Sequence, residues 1–256
     1  MEKARRLIED NTYYIEIIDK AIISFTKAIE IDKKNYIAYE GRGVAHYIRG
    51  NSTQAISDYT KVIKLKPDYS HAYVNRASAY FYGEGDIDKA EKDFNKAIKI
   101  KPNFAIHYLR RGDFYGVIGN NNQAISDLNK AIEFKPDYAD AHCIRGSIYG
   151  LLHKYDKAIA DFNKAIEINP GHSEFYVTRG TVYYKNKDLD RALSDLGKAI
   201  ELNPNNINAY NLKVGILTLQ SKYDEAWKAV NEMERKGFYV MPNLRRKLQK
   251  VSGRWN

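Results

Sequence analysis

Five prolines, Pro67, Pro102, Pro136, Pro170 and Pro204, stand 35, 34, 34 and 34 residues apart. Each ends a similar phrase: DYTKVIKLKP, DFNKAIKIKP, DLNKAIEFKP, DFNKAIEINP and DLGKAIELNP. Alanine keeps the same period at Ala21, Ala55, Ala90, Ala124, Ala158, Ala192 and Ala226. A period of this length marks a repeat array, in which each unit buries its apolar face against its neighbours rather than in one central core.

Each unit reads as two helices. Ala158, Ile159, Phe162, Ala165 and Ile166 fall at i, i+1, i+4, i+7 and i+8, one apolar stripe at helical period. Upstream, His142, Arg145, Gly146 and Tyr149 define the facing stripe of a first helix. Turn-forming runs such as RGNSTQ (49–54) and GNNNQ (119–123) separate the two. Glycine inside a helix costs about 1 kcal/mol relative to alanine, so its recurrence at Gly43, Gly112, Gly146 and Gly180 implies close helix packing.

These features resemble the tetratricopeptide repeat family, whose pattern is aromatic-x2-Leu-Gly-x2-Tyr, then Ala-x3-Phe, then Pro. The sixth unit carries it as Tyr176, Arg179, Gly180, Tyr183, Ala192, Leu196 and Pro204. The resemblance covers nearly the whole chain. It implies an all-α fold, a right-handed superhelical solenoid of antiparallel helix pairs. Seven units are expected: 2–35, 36–69, 70–104, 105–138, 139–172, 173–206 and 207–240. The extra residue of the third is assigned to its FYGEGD turn, and the first and seventh are atypical. Residues 241–256 are expected to form a basic capping helix with Leu244, Leu248 and Val251 inward.

The family places Leu where this chain has Arg42, Arg76, Arg111, Arg145 and Arg179. The same units carry Asp58, Asp93, Asp127, Asp161 and Asp195, sixteen or seventeen residues later. Units one and seven lack both partners, having Ile8 with Ser24 and Lys213 with Ala229. Structural ion pairs within each unit are therefore expected, since arginine and carboxylate pair bidentately.

The net charge of +9 is uneven. From Glu234 to Asn256 seven basic residues face one acid, while the rest of the chain holds 34 basic and 31 acidic side chains. Nucleic-acid or acidic-surface binding through the C-terminal helix is thus one alternative reading, and self-assembly into a scaffold is another. One cysteine, Cys143, excludes an internal disulfide or a multi-cysteine zinc site. There is no phosphate loop, Gly-x-Ser-x-Gly, His-Glu-x-x-His or Cys-x-x-Cys. Adjacent His142 and Cys143 point in different directions on a helix, and His142 holds the aromatic site of the repeat. No enzyme activity, cofactor or metal is expected. The charged start MEKARRLIED is not a secretory signal, and a cytoplasmic location is expected.

In the family, the first helices line a concave groove that receives a peptide or helix of another protein. The resemblance places Val74, Leu109, Cys143 and Val177 there as an apolar strip. Val44, Ser78, Asp113, Ser147 and Thr181 make a second row, with Tyr13, Tyr47, Phe81 and Tyr184 at one edge. A non-catalytic adaptor for a protein partner is the expected function. One subclass grips chaperone carboxylate tails with Lys, Asn, Asn, Lys and Arg. Here only Asn75 and Arg110 match, and Glu40, Val44 and Ile106 depart, so that mode is not expected.

Overall fold

The computed structural model describes residues 2–240 and 242–253, with side chains from Tyr13 onward. Met241 and residues 254–256 of the expected cap lie outside the described residues, as does the Ile8 side chain. The chain divides into two units, Met1–Lys135 and Pro136–Asn256. In the first, α1 (Glu2–Ile31) precedes three helix pairs. These are α2 (Tyr36–Ile48) with α3 (Ser52–Leu65), α4 (Ser70–Ser78) with α5 (Ile87–Ile100), and α6 (Ala105–Val117) with α7 (Asn121–Phe134). In the second, α8 (Ala139–Leu151) pairs with α9 (Tyr155–Ile168) and α10 (Ser173–Lys185) with α11 (Leu189–Leu202). There α12 (Ile207–Leu219) pairs with α13 (Tyr223–Arg235), and α14 (Pro242–Ser252) packs on both. The described residues contain no strand.

The repeat phrase explains each hairpin. On second helices, Ala55, Ala90, Ala124, Ala158, Ala192 and Ala226 are fully buried. So are the large side chains four residues on, Tyr59, Phe94, Leu128, Phe162 and Leu196. Burying each large side chain contributes about 1.5–3 kcal/mol. Their contact is the glycine of the first helix: a Cβ on Gly43 would meet the Tyr59 ring at 2.8 Å, and one on Gly146 would meet Ala158 O at 3.2 Å. Two residues after most second helices, proline ends the turn because it has no N–H to continue the ladder. Asn35, Asp86, Asn120, Asp188 and Asn206 then cap the helices they precede, each accepting from the backbone N–H three residues on.

Two expectations about the units are corrected. The first, expected as a hairpin, is one uninterrupted helix from Glu2 to Ile31. Every later unit turns on a left-handed residue at the same register: Gly50, Gly85, Gly119, His153, Lys187 and Ser221. Unit one has Glu16 there, followed by Ile17 and Ile18, and nothing in that run favours a turn. The third unit's extra residue is not taken up in its turn. It is absorbed as a π-helical stretch, Ala79–Glu84, at the end of the first helix, and Gly85 (φ 71°) keeps the turn position.

In the second unit three non-glycine residues hold that turn, His153, Lys187 and Ser221 at φ 57°, 63° and 58°. Side chains crowd the backbone in this region. His153 and Ser221 hydrogen-bond the tyrosine hydroxyl two residues on. Position 189, two beyond Lys187, is leucine. Lys187→Gly should therefore raise stability by roughly 0.5–1 kcal/mol in denaturant melts, the strain relieved exceeding the entropy that glycine adds to the unfolded chain. A loss of stability would show that Lys187 is not strained.

Candidate functional site

The five arginines each grip one aspartate of the same unit through two parallel bonds. Arg42 Nε and Nη2 donate to Asp58 at 2.9 and 2.7 Å, Arg76 to Asp93 at 2.7 and 2.9 Å. Arg111 donates to Asp127 at 2.7 Å twice, Arg145 to Asp161 at 2.9 and 2.6 Å, and Arg179 to Asp195 at 2.8 and 2.7 Å. All five aspartates are buried. Burial alone would raise the Asp161 carboxyl, but the hydrogen bonds from Arg145 and His142 outweigh it and hold the group below the usual range.

A third partner escaped the sequence reading. Arg42 and Arg76 Nη1 donate to Thr26 and Thr60 Oγ1 at 3.2 and 3.0 Å. Arg111 and Arg179 Nη1 donate to Asn95 and Asn163 Oδ1 at 2.5 and 2.6 Å. Each acceptor lies on the preceding unit, Thr26 on α1 and the others on second helices, so one guanidinium ties three helices together. The signal was in the period: Thr26, Thr60, Asn95, Asn129 and Asn163 share one register. Gly197 breaks it just before the unit where Lys213 replaces arginine. These arginine donors are thus committed to acceptors within the chain.

His142 is buried and bonded. Its Nε2 lies 3.1 Å from Pro136 O and its Nδ1 3.2 Å from Asp161 Oδ1. Tyr73 and Tyr176, in the same register, donate to Pro67 O and Pro170 O. The imidazole thus replaces a tyrosine hydroxyl in a recurring loop contact. Burial pushes the Cys143 thiol up to about 11, which disfavours the thiolate at neutral pH.

The expected groove strip is corrected in part. Val74, Leu109 and Val177 are only 6, 3 and 6% exposed, so they are not surface available to a partner. Val177 sits on α10, which contacts the first helices on both sides, and it packs with Ala209 and Ile216. Val177 thus fills the seam between stacked first helices, and Val74 and Leu109 are likewise buried. Cys143 is half-buried. In the second unit Ser147 and Thr181 donate to Cys143 O and Val177 O in their own helices, and half-buried Tyr184 packs on the core.

In the first unit Ser78 likewise donates to Val74 O. The remaining residues form a patch. Tyr47 and Phe81 are half-buried, with Phe81 edge-on to Phe114 at 5.0 Å and to Tyr82 at 4.7 Å. Tyr82, not singled out from the sequence, is 53% exposed and donates to Asp113 Oδ2 at 2.8 Å. Burial and that bond raise its phenol pKa, and the nearby charge of exposed Arg110 pulls the other way on both Tyr82 and Tyr47. The π-helical stretch carries Phe81 and Tyr82, so the inserted residue sets where these rings point.

At the C-terminus Leu248 is fully buried and Leu244 partly, while Val251 stays 44% exposed. Trp227 Nε1 donates to Ser252 Oγ at 3.1 Å, and Arg245 pairs with Glu234. Among the described residues no helix is long and apolar enough to cross a membrane.

Tetratricopeptide repeat models match residues 36–69, 70–104, 139–172 and 173–206, and a TPR repeat model matches 118–152. The heat shock protein sti1 homolog of Schizosaccharomyces pombe is 37% identical over 68 residues, 27% of this chain and 11% of that protein. Human tetratricopeptide repeat protein 6 is 33% identical over 96 residues, 25% of this chain and 18% of that protein. The chain thus spans less than a fifth of either relative. A tetratricopeptide repeat protein from Parabacteroides merdae shares the fold over 98% of this chain and 100% of its own, at 22% identity and a TM-score of 0.66. The matched repeats cover more than half of the sequence, and the chain belongs to the tetratricopeptide repeat family.

Proposed function

We propose that this protein is a non-catalytic scaffold that binds a peptide or helical segment of a protein partner on the first-helix face of its N-terminal unit. The observation that carries the reading is the exposed Tyr82 beside Phe81, Tyr47, Arg110 and Asp113. Aromatic rings and arginine dominate the energetics of protein interfaces. Ser147 and Thr181, in the register of Asp113, spend their hydroxyls within their own helices. On this reading residues 2–240 are seven repeat units, of which 2–35 is half-formed, and 241–256 are a capping segment. A chaperone carboxylate tail is a poor ligand, because Glu40, bonded to Tyr69 at 2.8 Å, puts a negative charge where that subclass has lysine.

Peptides selected from a random display library against the full chain supply the probe. Tyr82→Ala with Arg110→Ala, both exposed, should leave melting unchanged and weaken the selected peptides about 100-fold, roughly 2.7 kcal/mol. Equal affinity for both proteins would place the docking surface elsewhere.

A further inference from the structure

A gap in the repeat pattern lies beside α1. In later units the large side chain of the second helix packs onto the glycine of its own first helix, as Tyr59 does on Gly43 and Phe162 on Gly146. Phe25 holds that register, but its unit has no separate first helix. It stays half-buried, leaning on Gly41 of α2, where its ring leaves no room for a Cβ. Ala21 is half-buried too, unlike its six fully buried counterparts. The place of the missing helix is an apolar cavity of about 470 Å³ between α1 and α2, with Ile18, Ala21 and Phe25 on one wall and Ile37, Val44 and Ile48 on the other.

The residues that would fill it continue α1 along its axis. A helical extension of about 15 residues is marginal in water unless something covers it. One molecule thus has an empty helix slot and a helix that runs on past it. We infer that two copies complete each other, the N-terminal half of α1 from each lying in the α1–α2 slot of the other. Such an exchange of identical elements is a low-cost route to a twofold dimer.

The exposed area fits. Tyr13, Tyr14, Ile17, Ile37, Val44 and Ile48 are 63, 68, 44, 61, 38 and 63% exposed. At about 200 Å² per large side chain they present roughly 700 Å² of apolar surface per copy, close to the ~800 Å² per partner of a stable interface.

The test is the mass of the full chain by light scattering at about 100 μM. Twice 29.5 kDa is expected, and a single 29.5 kDa species would overturn the inference. Val44→Asp with Ile48→Asp, both exposed, should give a monomer that keeps its helical circular dichroism and melts lower than the dimer, and a dimer that survives the pair would also overturn it. A photo-cross-linker at Ile48, in a mixture of isotopically light and heavy copies, should join to residues 2–17 of the other copy. Inter-copy links confined to other segments would contradict the exchange. The Tyr82 patch is untouched by these variants, so peptide binding and dimer formation fail independently.

Discussion

Arg145→Leu is expected to destabilise the protein by about 3 kcal/mol, because it strands a buried charge. Asp161 would keep His142 as a side-chain partner in a buried site. Asp161→Leu should cost a similar amount, leaving the guanidinium, 19% exposed, without its carboxylate. The double variant should recover much of the loss, since replacing a buried ion pair by apolar side chains is often neutral. Urea melts of the four proteins give the coupling energy. An exposed pair would couple by at most ~1 kcal/mol, and a value below ~0.5 kcal/mol would return these arginines to candidacy as ligand-binding groups.

His107 should make the protein acid-labile. It is 1% exposed and holds the register of Ala38, Ala72, Ala141 and Ala209. Its ring packs at 4.9 Å from Phe104 and 5.8 Å from His71, with neither nitrogen fully hydrogen-bonded. Burial, then His71, lower its pKa to about 4, and the Lys101 backbone offsets little of this. The unfolded chain binds the proton first, so the associated stability is present above pH ~6.5 and is lost as pH falls towards 4. A depression of this size corresponds to about 3 kcal/mol. His107→Phe copies Phe175, buried in the same register of the sixth unit. It should flatten the stability profile between pH 6.5 and 4, leaving the acid loss from Asp161 at lower pH. An unchanged profile would assign the lability to other groups.

Much of the fold was legible because the repeat prints one packing solution many times. The Ala, Phe or Leu, and Pro positions each report a contact that recurs, and co-occurrence of Arg with Asp in five units identified a pair no single unit could. What recurs with varied chemistry was harder to see. Thr26, Thr60, Asn95 and Asn163 accept the same kind of bond, yet as threonine or asparagine they look like ordinary helix-surface residues. The site was least legible, because it departs from the period. Val74 and Leu109 read as groove-lining by register but are buried. Tyr82 became visible only once the π-helical stretch had placed it beside Asp113.

The claim that the aromatic face of the N-terminal unit is the docking surface is tested most directly by amide hydrogen exchange on the full chain, with and without a selected peptide. Bound peptide should slow exchange in α4 and its π-helical end, residues 70–84, and in α6, residues 105–117. Protection confined to α8 and α10, or to the second helices, would contradict the account.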